Sequence, residues 1–233
     1  KLIPGLVKAI DLRLDAGLGI NNRLSSDLSK AADVLRTWDF KTSKTSEAMT
    51  LAHKYGEAVN AAARKTVPNL TPMQKLDYYG TDAPVAERVA LFRNVIDQLT
   101  EDFGTWKMPW GEINRFQRMN GDIDLTFDDN KTSIPVGLAS GRWGALAAYG
   151  MRGTHDVKKI YGTRGNSFVA AVEFGDKVKA KTMLAGGQSG NPSSPHFYDQ
   201  AQRYADMQFK DVAFYREDVE ARAKVKYIPG EKF

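Results

Sequence analysis

Cysteine is absent from all 233 residues, which removes disulfides, thiolate zinc sites and cysteine nucleophiles at once. Histidine is nearly as scarce. The three, His53, His155 and His196, lie far apart, and none falls in a His-x-x-x-His or His-Glu-x-x-His spacing, so zinc is not expected. No apolar run is long enough to span a bilayer. The opening KLIPGLVKAIDLRLDAG has a basic start, but Pro4, Asp11, Arg13 and Asp15 interrupt it, so it is not the apolar core of a leader peptide. Basic residues outnumber acidic ones, 33 to 28, yet they are scattered. Nucleic-acid binding calls for a concentrated basic patch, and none is present. Internal repeats and low-complexity tracts are missing as well. What remains is an ordinary globular composition, 42% hydrophobic, sufficient to bury a core.

The first hundred residues read as helices. From Leu24 to Trp38, Leu24, Leu28, Ala31, Ala32, Leu35 and Trp38 recur at three- and four-residue spacing, the pattern of an amphipathic helix, with Asn21 and Asn22 as candidate caps. On this reading Leu28, Leu35 and Trp38 share one face and the Trp38 indole is buried in packing. A second helix is expected from Thr45 or Ser46 to about Arg64. Thr71-Pro72 is a helix start with Thr as cap and Pro at the first helical position, and Val85 to Glu101 is a long helix with a broad apolar face.

After Gly104 short β-type runs take over: Ile123 to Phe127, Ser133 to Leu138, and the clearest pair, Ser167 to Phe174 and Lys177 to Leu184, joined by Gly175-Asp176. A two-residue Gly-Asp connection is a hairpin signal. Ser194-Pro195 is read as the start of a helix through Ala201, Tyr204 and Met207. The expectation is an α+β chain, a helical segment 1–105 followed by a β-rich segment 106–233. A lone hairpin with a few partner strands leaves edges and a face that other segments must cover, so the two segments are taken as one composite piece.

Four groups of residues invite a chemical reading. Ser189, His196 and Asp199 suggest nucleophile, base and orienter. Triad members normally arrive from separate elements, however, and His196 and Asp199 are three residues apart, where Ser194 and Asp199 also suit a helix start. A structural loop is the expected reading. Asp122, Asp124, Asp128, Asp129 and Asn130 carry enough oxygen ligands for a hard cation, but exposure and turn propensity explain them more simply. Gly186 to Gly190 lacks the Lys-Ser/Thr ending of a phosphate loop. Trp106, Trp110 and Trp143 with Phe103, Phe116 and Tyr149 are candidates to wall an acyl pocket, with core packing the favoured alternative. No catalytic, cofactor-binding or metal-ligating residue is assigned.

Residues 164–200, RGNSFVAAVEFGDKVKAKTMLAGGQSGNPSSPHFYDQ, carry the most specific signal. Gly165, Asn166, Ser167, Gly187, Ser189, Ser194, Pro195, His196, Asp199 and Gln200 match in order and spacing a strand pair opened by a Gly-Asn/Asp-Ser turn and followed by G-x-S-x-x-x-S-P-H-x-x-D-Q. This segment resembles the closing part of the penicillin acylase family, N-terminal-nucleophile hydrolases that act on penicillins, cephalosporins and N-acyl-homoserine lactones. PWGEINRFQR (Pro109 to Arg118) resembles the family's W-G-[ED]-x-x-R element, and Ala31 to Tyr55 resembles its L-x-x-W-[DN] helical segment. The resemblance implies a four-layer αββα sandwich and an amide hydrolase whose N-terminal serine attacks with its own α-amino group as base. It also implies export to the periplasm or beyond, and as partners an α-subunit, the rest of the β-subunit and a small-molecule amide; no cofactor is expected in this chain itself, the family's calcium ligands falling outside this segment. The chain begins with Lys1 and has no Ser-Asn-x-x-[WF] start. It is therefore expected to correspond to the C-terminal half of a β-subunit with the nucleophile elsewhere; a non-catalytic helical and hairpin binding module is the alternative.

Overall fold

The computed structural model describes residues 1–16, 22–117, 126–154 and 156–230. Five helices come first: α1 Leu2–Asp15, α2 Asn22–Arg36, α3 Glu47–Thr66, α4 Pro72–Thr81 and α5 Val85–Phe103. Their starts obey local chemistry. Ser46 Oγ accepts from Met49 N at 3.0 Å to open α3, and Thr71 and Gln74 form a reciprocal capping box with Pro72 just inside α4, satisfying amide groups that a helix start leaves unpaired. α1, weighed from sequence only as a leader, is a helix because Ile3, Leu6, Val7 and Ile10 make a buried stripe. Pro4 falls in the first turn, where its missing N–H costs nothing. The five helices enclose one core around Leu6, Ile10, Leu35, Leu51, Tyr55, Tyr79 and Phe92.

Trp38 departs from the sequence reading. α2 stops at Arg36, so Trp38 does not share a helical face with Leu28 and Leu35. An Asp39 side chain accepting from Lys41 N at 2.9 Å closes a turn, Phe40 takes a left-handed φ of 60°, and the indole N–H donates to Lys41 O at 3.0 Å. Turn hydrogen bonds here outcompete one more helical residue. The Trp38 ring is half-buried, 5.1 Å from that of Phe40.

The segment after α5 fastens the helices to the sheets. α6, the single turn Trp110–Ile113, runs directly into β1, Asn114–Phe116. Trp110 N and Gly111 N donate to Ser46 O and Lys44 O at 3.1 and 2.8 Å, while the buried Asn114 amide donates to Val136 O and Leu138 O at 2.9 Å. Arg115 reaches Ser133 Oγ, Ser133 O and Gly111 O at 2.8–2.9 Å. The Trp-Gly-Glu-x-x-Arg element is thus a staple gripping residues 44–46 on one side and 133–138 on the other.

β1 is central in a four-stranded sheet of order β2-β1-β4-β3, with β2 Ile134–Pro135, β3 Tyr149–Arg152 and β4 Ile160–Gly165. β1 and β4 are parallel; the other pairs are antiparallel. Of the expected strand at 133–138 only Ile134–Pro135 is a strand, since Val136 O and Leu138 O are taken by the Asn114 side chain and Leu138 O also by the Trp110 indole. In the run expected at 123–127, residues 123–125 lie outside the described residues; Phe127 is not in a strand but stacks on Tyr161, centroids 4.7 Å apart.

A second sheet, β5-β6-β7, contains β5 Phe168–Glu173, β6 Lys179–Leu184 and β7 Lys210–Asp211. The expected hairpin is antiparallel, but its register pairs Glu173 with Lys179, so the connection is the five residues 174–178 rather than Gly175-Asp176 alone. Val178 N–H donates to the Tyr215 hydroxyl at 2.7 Å instead of closing a tighter turn. One face of this hairpin carries Phe168, Ala170 and Val172, directly paired with Leu184, Thr182 and Ala180. Phe168 and Val172 on this face are 59% and 48% exposed, an apolar face turned to solvent. The opposite face carries the pairs Lys179–Glu173 and Lys181–Asp211. Two short helices complete the chain, α7 Ala201–Ala205 and α8 Arg216–Arg222.

Candidate functional site

The motif segment gathers around the mouth of the two sheets. Asn166 folds against Ala148 twice, its side-chain oxygen accepting from Ala148 N and its own N–H donating to Ala148 O, both 2.8 Å. Tyr204 OH donates to Asn166 O at 2.8 Å, and Gln200 N donates to Gly186 O at 2.8 Å. Between them lies a cleft of about 320 Å³ lined by Phe116, Tyr149, Arg164, Asn166, Tyr198 and Tyr204 among others. Burial pushes the Tyr198 and Tyr204 phenols up to about 12 and raises Tyr149 further. All three remain neutral donors at physiological pH. Tyr149 OH donates to Arg115 O at 2.8 Å, while the buried Tyr198 hydroxyl has no hydrogen-bond partner among the described residues. Arg164 lines the cleft together with these phenols. The cleft offers no nucleophile paired with a base.

Residues 194–199 form successive turns, not the expected helix, which begins only at Ala201. Ser194 Oγ accepts from His196 N at 3.2 Å, two residues on, and His196 O is held by Ser189 N at 3.0 Å. With the His196 carbonyl and the Gln200 amide committed to the 186–189 loop, this stretch stays in turns. His196 Nδ1 and Asp199 Oδ2 do meet, at 2.9 Å, on the exposed surface. Ser189 Oγ, however, accepts from Asn191 N at 3.1 Å, and no Ser189–His196 side-chain hydrogen bond forms. Two members of the suggested triad come together; the nucleophile does not join them.

The glycine stretch is likewise closed. A Cβ on Gly187 would stand 1.9 Å from His196 O, so glycine is needed there for a backbone-to-backbone approach, and Ser189 N–H is already occupied. In the acidic group, Asp122 and Asp124 lie outside the described residues. Asp129 gives both carboxylate oxygens to protein donors, Tyr161 OH at 2.6 Å and Lys158 N at 2.7 Å, and Asp128 Oδ1 accepts from Asn130 N at 2.8 Å. His155 is also outside the described residues.

The six aromatics proposed as pocket walls part company. Trp106 and Trp110 are core, 4% and 0% exposed, and Phe103 packs half-buried on the helical core. Phe116 and Tyr149 line the cleft just described. Trp143 lines a separate cavity with Trp38 and His53. His53 was considered from sequence only as a zinc ligand. The signal available was a histidine four residues after Met49 on the buried stripe of α3.

His53 sits between two indoles, its ring centroid 4.7 Å from Trp110 and 6.3 Å from Trp143. Burial, reinforced by the Lys54 and Arg142 charges, lowers its pKa from 6.5 to about 3. The unfolded chain therefore binds this proton first. The His53 contribution is complete above pH 6.5 and is lost as pH falls from there through about 3. Between pH 7 and 5 the protein should lose about 2 kcal/mol more stability than its His53→Phe variant; denaturant unfolding of the two proteins at both pH values checks this.

The penicillin amidase family model matches residues 2–221. That span takes in the helical core, the Trp110–Arg115 staple and the whole motif segment. The chain belongs to the penicillin amidase family.

Proposed function

We propose that this chain is the C-terminal, scaffolding part of an acylase-type amide hydrolase, with the nucleophile carried by another part of the enzyme. The family match over residues 2–221 carries the reading. The way the motif residues are used supports it: Asn166, Ser189, Ser194 and Gln200 direct polar atoms at neighbouring backbone, holding a loop rather than presenting reactive groups. The exposed apolar face of Phe168, Ala170 and Val172 fits a sheet covered by further layers of a four-layer αββα sandwich, because contiguous apolar surface marks interaction sites. Its partners are then the α-subunit and the remaining β-subunit. The substrate is an N-acylated small molecule such as a β-lactam antibiotic or an acyl-homoserine lactone, attacked by an N-terminal serine acting with its own amine, in an exported enzyme that needs no cofactor from this chain.

The purified 233-residue chain should release no amine from a phenylacetyl or long-acyl amide, and Ser189→Ala should change nothing. Turnover by the chain alone that disappears in Ser189→Ala would overturn the proposal and make the 189–199 loop an active site.

A further inference from the structure

A cavity of about 290 Å³ lies where α1, α3, the 38–42 turn and the segment around Trp143 converge. Ile3, Trp38, Phe40, Met49, His53 and Trp143 supply most of its character. Three aromatic rings and two aliphatic side chains surround one polar ring. That ring, His53, is 7% exposed. Its Nδ1 is sealed from solvent without a hydrogen-bond partner, as is the Trp143 indole N–H. Nε2 makes no hydrogen bond to any described residue either. Because Nδ1 is closed off, Nε2 is the polar edge that the imidazole leaves toward the cavity.

We infer that this cavity binds an uncharged single-ring aromatic molecule bearing one hydroxyl or carbonyl oxygen, with the ring among Trp38, Phe40 and Trp143 and the oxygen on His53 Nε2. Nε2 is the nitrogen of this almost fully buried ring that is not sealed off, and polar groups in such surroundings are nearly always hydrogen-bonded. The volume, at about 30 Å³ per water-sized unit, admits on the order of ten non-hydrogen atoms, and pockets of this kind combine apolar walls with a few placed polar groups. Charge is disfavoured from both directions. His53 is neutral, and two of the cations around it are paired, Lys1 Nζ with Asp77 at 3.1 Å and Arg142 with Glu57 at 3.3 Å. With Nδ1 lacking any acceptor, placing the proton on Nε2 avoids a buried unpaired N–H and turns a donor toward the ligand oxygen. The inference is independent of the hydrolase reading, since it uses neither the motif loop nor a nucleophile.

Titration of the 233-residue chain with p-cresol, toluene and benzoate tests it, read by calorimetry and by the ¹⁵N shifts of labelled histidine. p-Cresol should bind saturably, about tenfold more tightly than toluene, the range one net hydrogen bond supplies, and more tightly than benzoate. It alone should move the His53 Nε2 resonance, a readout taken on the unsubstituted protein and so immune to folding defects. His53→Phe, which keeps a ring between the indoles, should bind p-cresol and toluene alike. Ala52→Leu, which extends a cavity-lining side chain of α3 into the space, should weaken both. Absence of saturable binding, p-cresol affinity unchanged in His53→Phe, or benzoate as the tightest of the three would each overturn the inference.

Discussion

Gly5→Ala is expected to be among the most destabilising single substitutions in the chain, although alanine is the better helix former by about 1 kcal/mol. A Cβ at Gly5 would stand 1.9 Å from Gly80 O and 2.7 Å from the carbonyl carbon. The obstruction is backbone, so no rotamer change relieves it and α1 must move off α4. That motion also disturbs Arg88, buried at 7% exposure, whose guanidinium donates to Gly5 O and Gly80 O at 3.2 and 3.4 Å. Displacing either carbonyl leaves a buried cation short of partners, which costs more than the overpacking itself. A loss of about 3 kcal/mol lowers the melting temperature by roughly 6–12 °C in a domain of this size. Gly190→Ala is the control, since nothing lies within 4 Å of its added Cβ, and it should melt with the parent. If Gly5→Ala also melts with the parent, the two helices do not cross at contact distance.

Trp110→Ala should cost about 3–5 kcal/mol, the usual penalty for emptying a fully buried aromatic site. Trp110 is 0% exposed, packs with Met49 and Ala139, and donates its indole N–H to Leu138 O at 2.9 Å. The carbonyl is not orphaned by the change, because the Asn114 amide still donates to it at 2.9 Å; the loss is therefore mainly one of packing. A second readout follows from the His53 ring 4.7 Å away. Opening its flank to water removes part of the desolvation that holds its pKa near 3, so the histidine should titrate closer to 6.5 in Trp110→Ala. Trp38→Ala should cost less than Trp110→Ala, because the Trp38 indole is only half-buried. Equal losses for the two tryptophans in thermal melts would mean that the 38–42 turn is as much core as the staple is.

Where one residue dictates its own surroundings, the sequence was readable. Ser46, Thr71 and Pro72 announce helix starts because the capping atom and the amide it serves are within three residues of each other. The antiparallel pairing of Phe168–Glu173 with Lys179–Leu184 was readable for the same reason, but its loop was not: the Tyr215 hydroxyl that takes Val178 N–H comes from far along the chain. β3 and β4 escaped notice because their pairing is fixed across the sheet rather than by alternation within either run. Trp38 was misplaced because helical spacing continued past the point where the Asp39 turn ended the helix. At the functional level, the motif residues gave the family, while the orphaned His53 emerged only from its position between two indoles distant in sequence.

The parallel alignment of Asn114 with Ile160 across β1 and β4 imposes an order on assembly. α1 to α5 are built from nearby segments and can collapse quickly, whereas β1 must wait for a strand that returns after a long excursion, and loop-closure entropy makes such pairings slow. Ile113, the residue just before β1, is already part of the helical core. The bundle therefore presents β1 as a fixed template before its partners arrive, and capture of residues 134–165 by that template is the step expected to limit the folding rate.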